Sequence, residues 1–137
     1  MQSWIFQGNP KKSDILGFLQ KGDYWIKKNG YWATKQNRDL MQIGDIVYFW
    51  KSGKKAGIYG ITHLVSKCEF IPKQKFGDYY VKIHIDKYLG SNFIPRQKFK
   101  ENPVFRNSYC IRFNQWTNYL LTDEEAKEIN KIIRDSI

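Results

Sequence analysis

Residues 31–65, YWATKQNRDLMQIGDIVYFWKSGKKAGIYGITHLV, decide how this chain folds. Trp32 opens a polar loop, and Gly44-Asp45 turns the chain into the very apolar run Ile46-Val47-Tyr48-Phe49-Trp50. A polar turn, Ser52 to Lys55, follows, and the chain returns as Ala56-Gly57-Ile58-Tyr59-Gly60-Ile61. Two apolar runs joined by a short Gly- and Lys-bearing turn predict a β-hairpin. Gly57 and Gly60 inside the second arm predict a bulge or a close backbone approach.

The flanking segments extend this pattern. Ser3 to Gln7 reads as a short aromatic strand stopped by Gly8-Asn9-Pro10, because proline cannot donate to a ladder. Ser13 is expected to cap a short helix with Ile15, Phe18 and Leu19 on one face and Gly22 closing it. Tyr24–Lys28 and Tyr31–Thr34 flank Asn29-Gly30, a two-residue turn signal. Residues 70–77, FIPKQKFG, read as a polar connector. In Tyr79 to Asp86 the alternation places Val81, Ile83 and Ile85 on one face and Lys82, His84 and Asp86 on the other. Residues 90–108 contain Pro95 and Pro103 and read as a long basic loop. At least one more strand is expected within Tyr109–Leu121. A final helix begins at a Thr122/Glu125 capping box and carries Ala126, Ile129, Ile133 and Ile137 as its apolar stripe. Many short strands with helices towards the ends predict an α+β fold: a small mixed or antiparallel β-barrel flanked by short helices, with a C-terminal helix, in one domain over 1–137.

Charge and aromatic content point to a class of partner. The 137 residues carry a formal charge of +10, and 17% are aromatic. Residues 123–137 hold five acids against three bases, a net of −2, so the rest of the chain holds +12. A basic body favours a polyanionic partner, and aromatic rings are both core fillers and stacking surfaces for bases. Cys68 and Cys110 lack metal-ligand spacing. Nothing at the N-terminus reads as a secretory signal, and no apolar run approaches the roughly 18 residues of a membrane span; a cytoplasmic protein with reduced thiols is expected.

The catalytic inventory is thin. His63 and His84 lie in strand-like runs away from any nucleophile motif, and no paired carboxylates, phosphate loop or zinc cluster occurs. No cofactor and no metal are expected. What remains is basic charge interleaved with aromatics. Lys11, Lys12, Lys35, Arg38, Lys54 and Lys55 are candidates for phosphate contacts, which give salt-sensitive affinity without reading sequence. A base outside its stack can be held between aromatic faces and read along its polar edge. Trp32 is the leading aromatic candidate because a polar segment follows it. Trp116, with Thr117 beside it, reads equally as core or as pocket. Trp50, next to Ser52, reads as core or as a pocket mouth. Trp4 and Trp25 read as core or edge packing.

These motifs, in this order, resemble the EVE domain, a PUA-like family related to YTH domains. The segments that carry the resemblance are Trp4-Ile5-Phe6-Gln7-Gly8-Asn9-Pro10, Tyr31 to Arg38, Gly44 to Ser52 with Gly57-Ile58-Tyr59-Gly60, and the Thr122–Ile133 helix. The resemblance implies a PUA-like barrel without catalytic activity of its own. It also implies a pocket for a single modified base, such as methylated cytosine or adenine, taken from DNA or RNA. Trp32 then becomes a wall of an aromatic cage, and Asn9 and Ser52 polar contacts at its rim. EVE domains often accompany nucleases or helicases, so protein partners in a defence or RNA-processing system are a further expectation. Two other readings stay open: a small-molecule or nucleotide binder or modest enzyme using the same pocket, and a structural subunit whose charge serves solubility.

Overall fold

The computed structural model describes residues 1–20, 31–74, 76–106 and 117–136. Its centre is the expected hairpin, β3 (Ile46–Lys51) and β4 (Gly57–Leu64). Gly44 enters it at φ +93°, and Gly53 at φ +83° and Lys55 at φ +52° form its tip. The pairing slips between Phe49 and Trp50, which leaves Tyr59 as the extra residue of a bulge. A Cβ on Gly57 would lie 2.1 Å from the Ile94 carbonyl oxygen, so the close approach expected at the glycines is real as well.

β1 (Ser3–Gly8) runs parallel to β3 in the register Ser3↔Ile46 to Gly8↔Lys51. The buried Asp45 carboxylate fixes this start: it accepts N–H groups from Trp4 Nε1 (3.0 Å), the Gln2 main chain (3.2 Å) and the Gln42 main chain (3.0 Å). A buried carboxylate needs such donors. The remaining strands are β2 (Tyr31–Ala33), β5 (Glu69–Gln74), β6 (Gly77–Tyr88), β7 (Ile94–Pro95) and β8 (Asn118–Leu120). The order is β2-β6-β4-β3-β1-β8, with β5 also on β6 and β7 on β4, and among the described residues only the β1–β3 pair is parallel. The result is a curled mixed sheet, a half-barrel, with three α-helices among the described residues: α1 (Ile15–Gln20), α2 (Arg96–Lys100) and α3 (Asp123–Ser136).

Both faces of the central strands are covered, which is why Ile46 to Trp50 shows no polar alternation. Trp4, Phe6, Val47 and Phe49 join Ile15, Phe18, Leu19, Val81 and Ile83 in one cluster, against α1. Ile5, Tyr48 and Trp50 join Phe99, Phe105, Ile129 and Ile133 in the other, against α2 and α3. The α3 capping box forms as expected: Thr122 N donates to Glu125 Oε1 (2.9 Å), and Glu125 N to Thr122 Oγ1 (3.1 Å). No helix among the described residues is long and apolar enough to cross a membrane.

Three local expectations change. Residues 70–77 are no connector, because β5 pairs with β6 there, Phe70↔Tyr79 and Gln74↔Gly77. Residues 90–108 are not simply a loop. They hold a 3-10 turn (Gly90–Asn92), β7 and α2, anchored by the buried Phe99 and Phe105. α1 is started by Asp14, whose Oδ1 accepts Gly17 N at 3.0 Å, rather than by Ser13. The expected hairpin around Asn29-Gly30, the Gly22 expected to close α1, Trp25, Cys110, Trp116 and Ile137 lie outside the described residues; within them, Tyr31–Ala33 pairs with β6.

Candidate nucleic-acid interface

Trp32 sits in β2 opposite Val81, and its indole packs edge-to-face on Phe18 (centroids 5.0 Å apart) and on Phe49 (4.9 Å, 90°). Those two contacts fix the ring, yet Trp32 remains only half-buried. Trp32 thus joins an apolar cluster while keeping accessible surface, the combination that a stacking wall needs. Register places Val81 on the face of Trp32, and Tyr79, two residues earlier in β6, on the same face. Phe70 opposes Tyr79 with ring centroids 5.3 Å apart, and the two are 62% and 37% exposed. The aromatic face therefore runs outward from buried Phe49 through Trp32 towards an exposed Phe70–Tyr79 pair.

The loop after Trp32 crosses to the opposite edge of the sheet. Asn118 Oδ1 accepts Lys35 N (2.6 Å) and Gln36 N (3.3 Å), while Gln36 Oε1 accepts Thr117 N (2.9 Å) and Asn118 N (3.1 Å). β2 and β8 are the two ends of the strand order, so these bonds draw the edges of the half-barrel together. Thr34 N donates to Tyr79 O (2.9 Å), Arg38 Nε donates to Thr34 O (3.2 Å), and the Arg38 guanidinium lies 4.2 Å over the Tyr79 ring. Lys35 is exposed beside this seam.

A second basic group forms where β1 and β3 end side by side. Parallel pairing through Gly8↔Lys51 puts the segment after β1, with Lys11 and Lys12, next to the hairpin tip, with Lys54 and Lys55. All four lysines are exposed. Asn9 Oδ1 accepts Lys11 N (3.0 Å), an Asx turn that shapes this segment, and Ser52 donates to Gly8 O through its N–H (3.0 Å) and its hydroxyl (3.3 Å). Gln7 N donates to Thr117 O at 2.7 Å, so Thr117 joins the same end of the sheet. Lys51, not singled out in the sequence, is buried there with its ammonium donating to Lys54 O and lying 5.2 Å from the Tyr59 ring centroid. Burial, and then the nearby charge of Lys55, hold its pKa below the ordinary lysine value.

Of the sequence candidates, Asn9, Ser52 and Thr117 thus come together with Lys11, Lys12, Lys54 and Lys55, while Lys35 and Arg38 lie along the seam that follows Trp32. Trp50 does not join them. It is 1% exposed and packs on Phe99 at 5.4 Å in the α2–α3 cluster, because adjacent strand residues face opposite ways and Phe49 takes the Trp32 side. His63 and His84 stand on the outer face, with His63 Nδ1 2.9 Å from Asp86 Oδ2. No group of side chains suited to a metal ion occurs among the described residues.

The family model of the EVE domain matches residues 2–132. The chain belongs to the EVE domain family. No curated protein matches it in sequence. Solved structures share the fold at low identity. Human THYN1, solved in complex with 5-methylcytosine-containing DNA, aligns with TM-score 0.71 and 15% identity over 97% of this chain and 98% of its own. Rpa0253 from Rhodopseudomonas palustris aligns with TM-score 0.74 and 19% identity over 96% and 92%. The YTH domain of Zygosaccharomyces rouxii MRB1, solved with N6-methyladenosine RNA, aligns with TM-score 0.60 and 13% identity over 96% and 86%. The half-barrel of this EVE domain is therefore the PUA-like fold expected from its sequence.

The sequence reading left Gln36, Asn118, Tyr79 and Phe70 out of the candidate site. Tyr79 carried a signal, since it extends the Val81-Ile83-Ile85 face by one step. Gln36 and Asn118 carried none, because their bonds span 82 positions.

Proposed function

We propose that this EVE domain is a non-catalytic nucleic-acid-binding module that receives a flipped, modified base against Trp32. The lysines at the ends of β1 and β3, together with Lys35 and Arg38, hold the phosphates. The observation that carries the reading is Trp32 itself: a tryptophan whose edge is fixed by Phe18 and Phe49 and whose remaining surface is open, with cationic loops beside it. Family membership supports it, as do the complexes in which two structural neighbours were solved, one with 5-methylcytosine DNA and one with N6-methyladenosine RNA. The Phe70–Tyr79 pair extends the same face and supplies further aromatic surface for the base or its neighbour.

The test is fluorescence-anisotropy titration with matched DNA and RNA oligonucleotides, unmodified and carrying one 5-methylcytosine or one N6-methyladenosine, at two salt concentrations. Wild type should prefer a modified probe, and the preference should survive the higher salt. Stacking on one aromatic side chain contributes about 1–3 kcal/mol, so Trp32→Ala should lose roughly five- to 150-fold on that probe while retaining weak, salt-sensitive binding. Equal preference in variant and wild type would remove Trp32 from the site. Equal binding of wild type to every probe, vanishing with salt, would leave only an electrostatic surface.

A further inference from the structure

Asn118 is fully buried, and its two amide atoms have unequal surroundings. Oδ1 accepts the N–H groups of both Lys35 and Gln36, which assigns oxygen and nitrogen and fixes the plane of the amide. Nδ2 is buried as well and meets no acceptor among the described residues. Buried side-chain donors are as a rule paired, so one held rigidly without an acceptor calls for an explanation. Its position supplies one. Asn118 is the register partner of Phe6, so the two side chains leave the sheet on the same face. Phe6 belongs to the cluster of Phe18 and Phe49 that Trp32 packs against. The two N–H groups on Oδ1 belong to the loop that leaves Trp32, and the amide plane turns Nδ2 away from them.

We infer that Asn118 Nδ2 donates a hydrogen bond to an acceptor on the edge of the base held at Trp32, a ring nitrogen or an exocyclic carbonyl oxygen. This rests on the base-binding reading above. Trp32 offers a face that every base can stack on, whereas a fixed N–H donor demands an acceptor at one place, so Asn118 is a specificity determinant within the same site. One residue thereby links the seam to the ligand. The acceptor half of its amide closes the half-barrel after Trp32, and the donor half reads what Trp32 holds.

Asn118→Asp separates the two roles, since a carboxylate still accepts from Lys35 and Gln36 but presents an oxygen where Nδ2 stood. Its affinity for the modified oligonucleotide preferred by wild type should fall at least about tenfold, with a smaller fall on the unmodified probe, which reports the phosphate contacts and the added negative charge. Gln36→Ala loosens the seam without touching Nδ2 and should keep the preference. Equal loss in both variants would make Asn118 a seam residue only and overturn the inference, as would an unchanged preference in Asn118→Asp. A measurement on wild type needs no variant to fold: in a 15N–1H titration the Asn118 side-chain amide protons should shift downfield as the modified oligonucleotide binds. An unmoved Asn118 resonance in the saturated complex overturns the inference while leaving the base-binding reading in place. A wild type that prefers no modified probe overturns both.

Discussion

Gln36 and Asn118 hold each other reciprocally: each side-chain oxygen accepts the other's main-chain N–H, at 3.1 and 3.3 Å. Each oxygen also accepts a neighbouring N–H, from Thr117 at 2.9 Å and from Lys35 at 2.6 Å. No ladder joins β2 to β8, so side-chain amides bring the sheet edges together where backbone pairing does not. Gln36→Ala leaves two main-chain donors without their acceptor, one of them on the buried Asn118. An unmet buried donor costs about 1–3 kcal/mol, and a loss of about 2 kcal/mol is expected. Urea unfolding should show a lower midpoint at unchanged slope. A change within about 0.5 kcal/mol, the range of an ordinary surface substitution, would mean that the seam adds nothing to stability.

Gly57 and Gly60 are predicted to respond differently to the same added methyl. A Cβ at Gly57 would meet the Ile94 carbonyl oxygen at 2.1 Å and Pro95 Cα at 3.0 Å, both backbone atoms of the paired strand β7. At Gly60 it would meet Leu19 Cδ2 at 2.7 Å, the far end of a side chain that can turn. Overpacking typically costs about 1–3 kcal/mol. Gly57→Ala should lie at or above the top of that range and detach β7, whereas Gly60→Ala should lie near the bottom. Calorimetric melting of both variants decides the order, and a Gly60→Ala loss equal to or larger than that of Gly57→Ala contradicts the account.

The basic end of the sheet predicts a salt signature. Log affinity falls with log salt by about 0.7–0.9 per phosphate neutralised. Replacing Lys11, Lys12, Lys54 and Lys55 by Ser should flatten the slope by about 2.8–3.6 units if all four face phosphates. Replacing Lys127 and Lys131 on α3, outside the cluster, should leave it unchanged. Titrations at several salt concentrations give both slopes, and equal flattening in the two variants would mean that net charge, not position, sets the affinity.

How far the sequence could be read follows from the range of the interactions. The β3–β4 hairpin, the β6 alternation and the α3 capping box rest on neighbours in the chain, and all three appear as expected. β5 and α2 were hidden by the prolines at 72 and 95, which read as breaks. In the structure Pro72 lies within β5, while Pro95 closes β7 immediately before α2. The face of Trp50 was legible in principle, since it alternates with Phe49, but a run buried on both sides gives no polar residue to mark which face is which. The lysine cluster depends on β1 pairing parallel to β3, a long-range choice that no local pattern encodes.

Alkaline stability should carry two opposing contributions. Burial raises the Tyr48 pKa above the ordinary tyrosine value of 10.0. Below that value the phenol is protonated in both states and its contribution is constant. Above it the unfolded chain loses the proton while the folded chain keeps it, so stability falls as pH rises through the folded pKa. Lys51 has the opposite sign. Its folded pKa lies below the ordinary lysine value of 10.5, so in that window the unfolded chain binds more protons and stability rises with pH, levelling above the unfolded value. Chemical-denaturation midpoints from about pH 8 to about pH 11 should therefore climb and then drop. Lys51→Met should abolish the climb. Tyr48→Phe should reduce the drop without removing it, because burial raises the Tyr59 pKa too. A drop of undiminished size in Tyr48→Phe would place the alkaline sensitivity elsewhere in the chain.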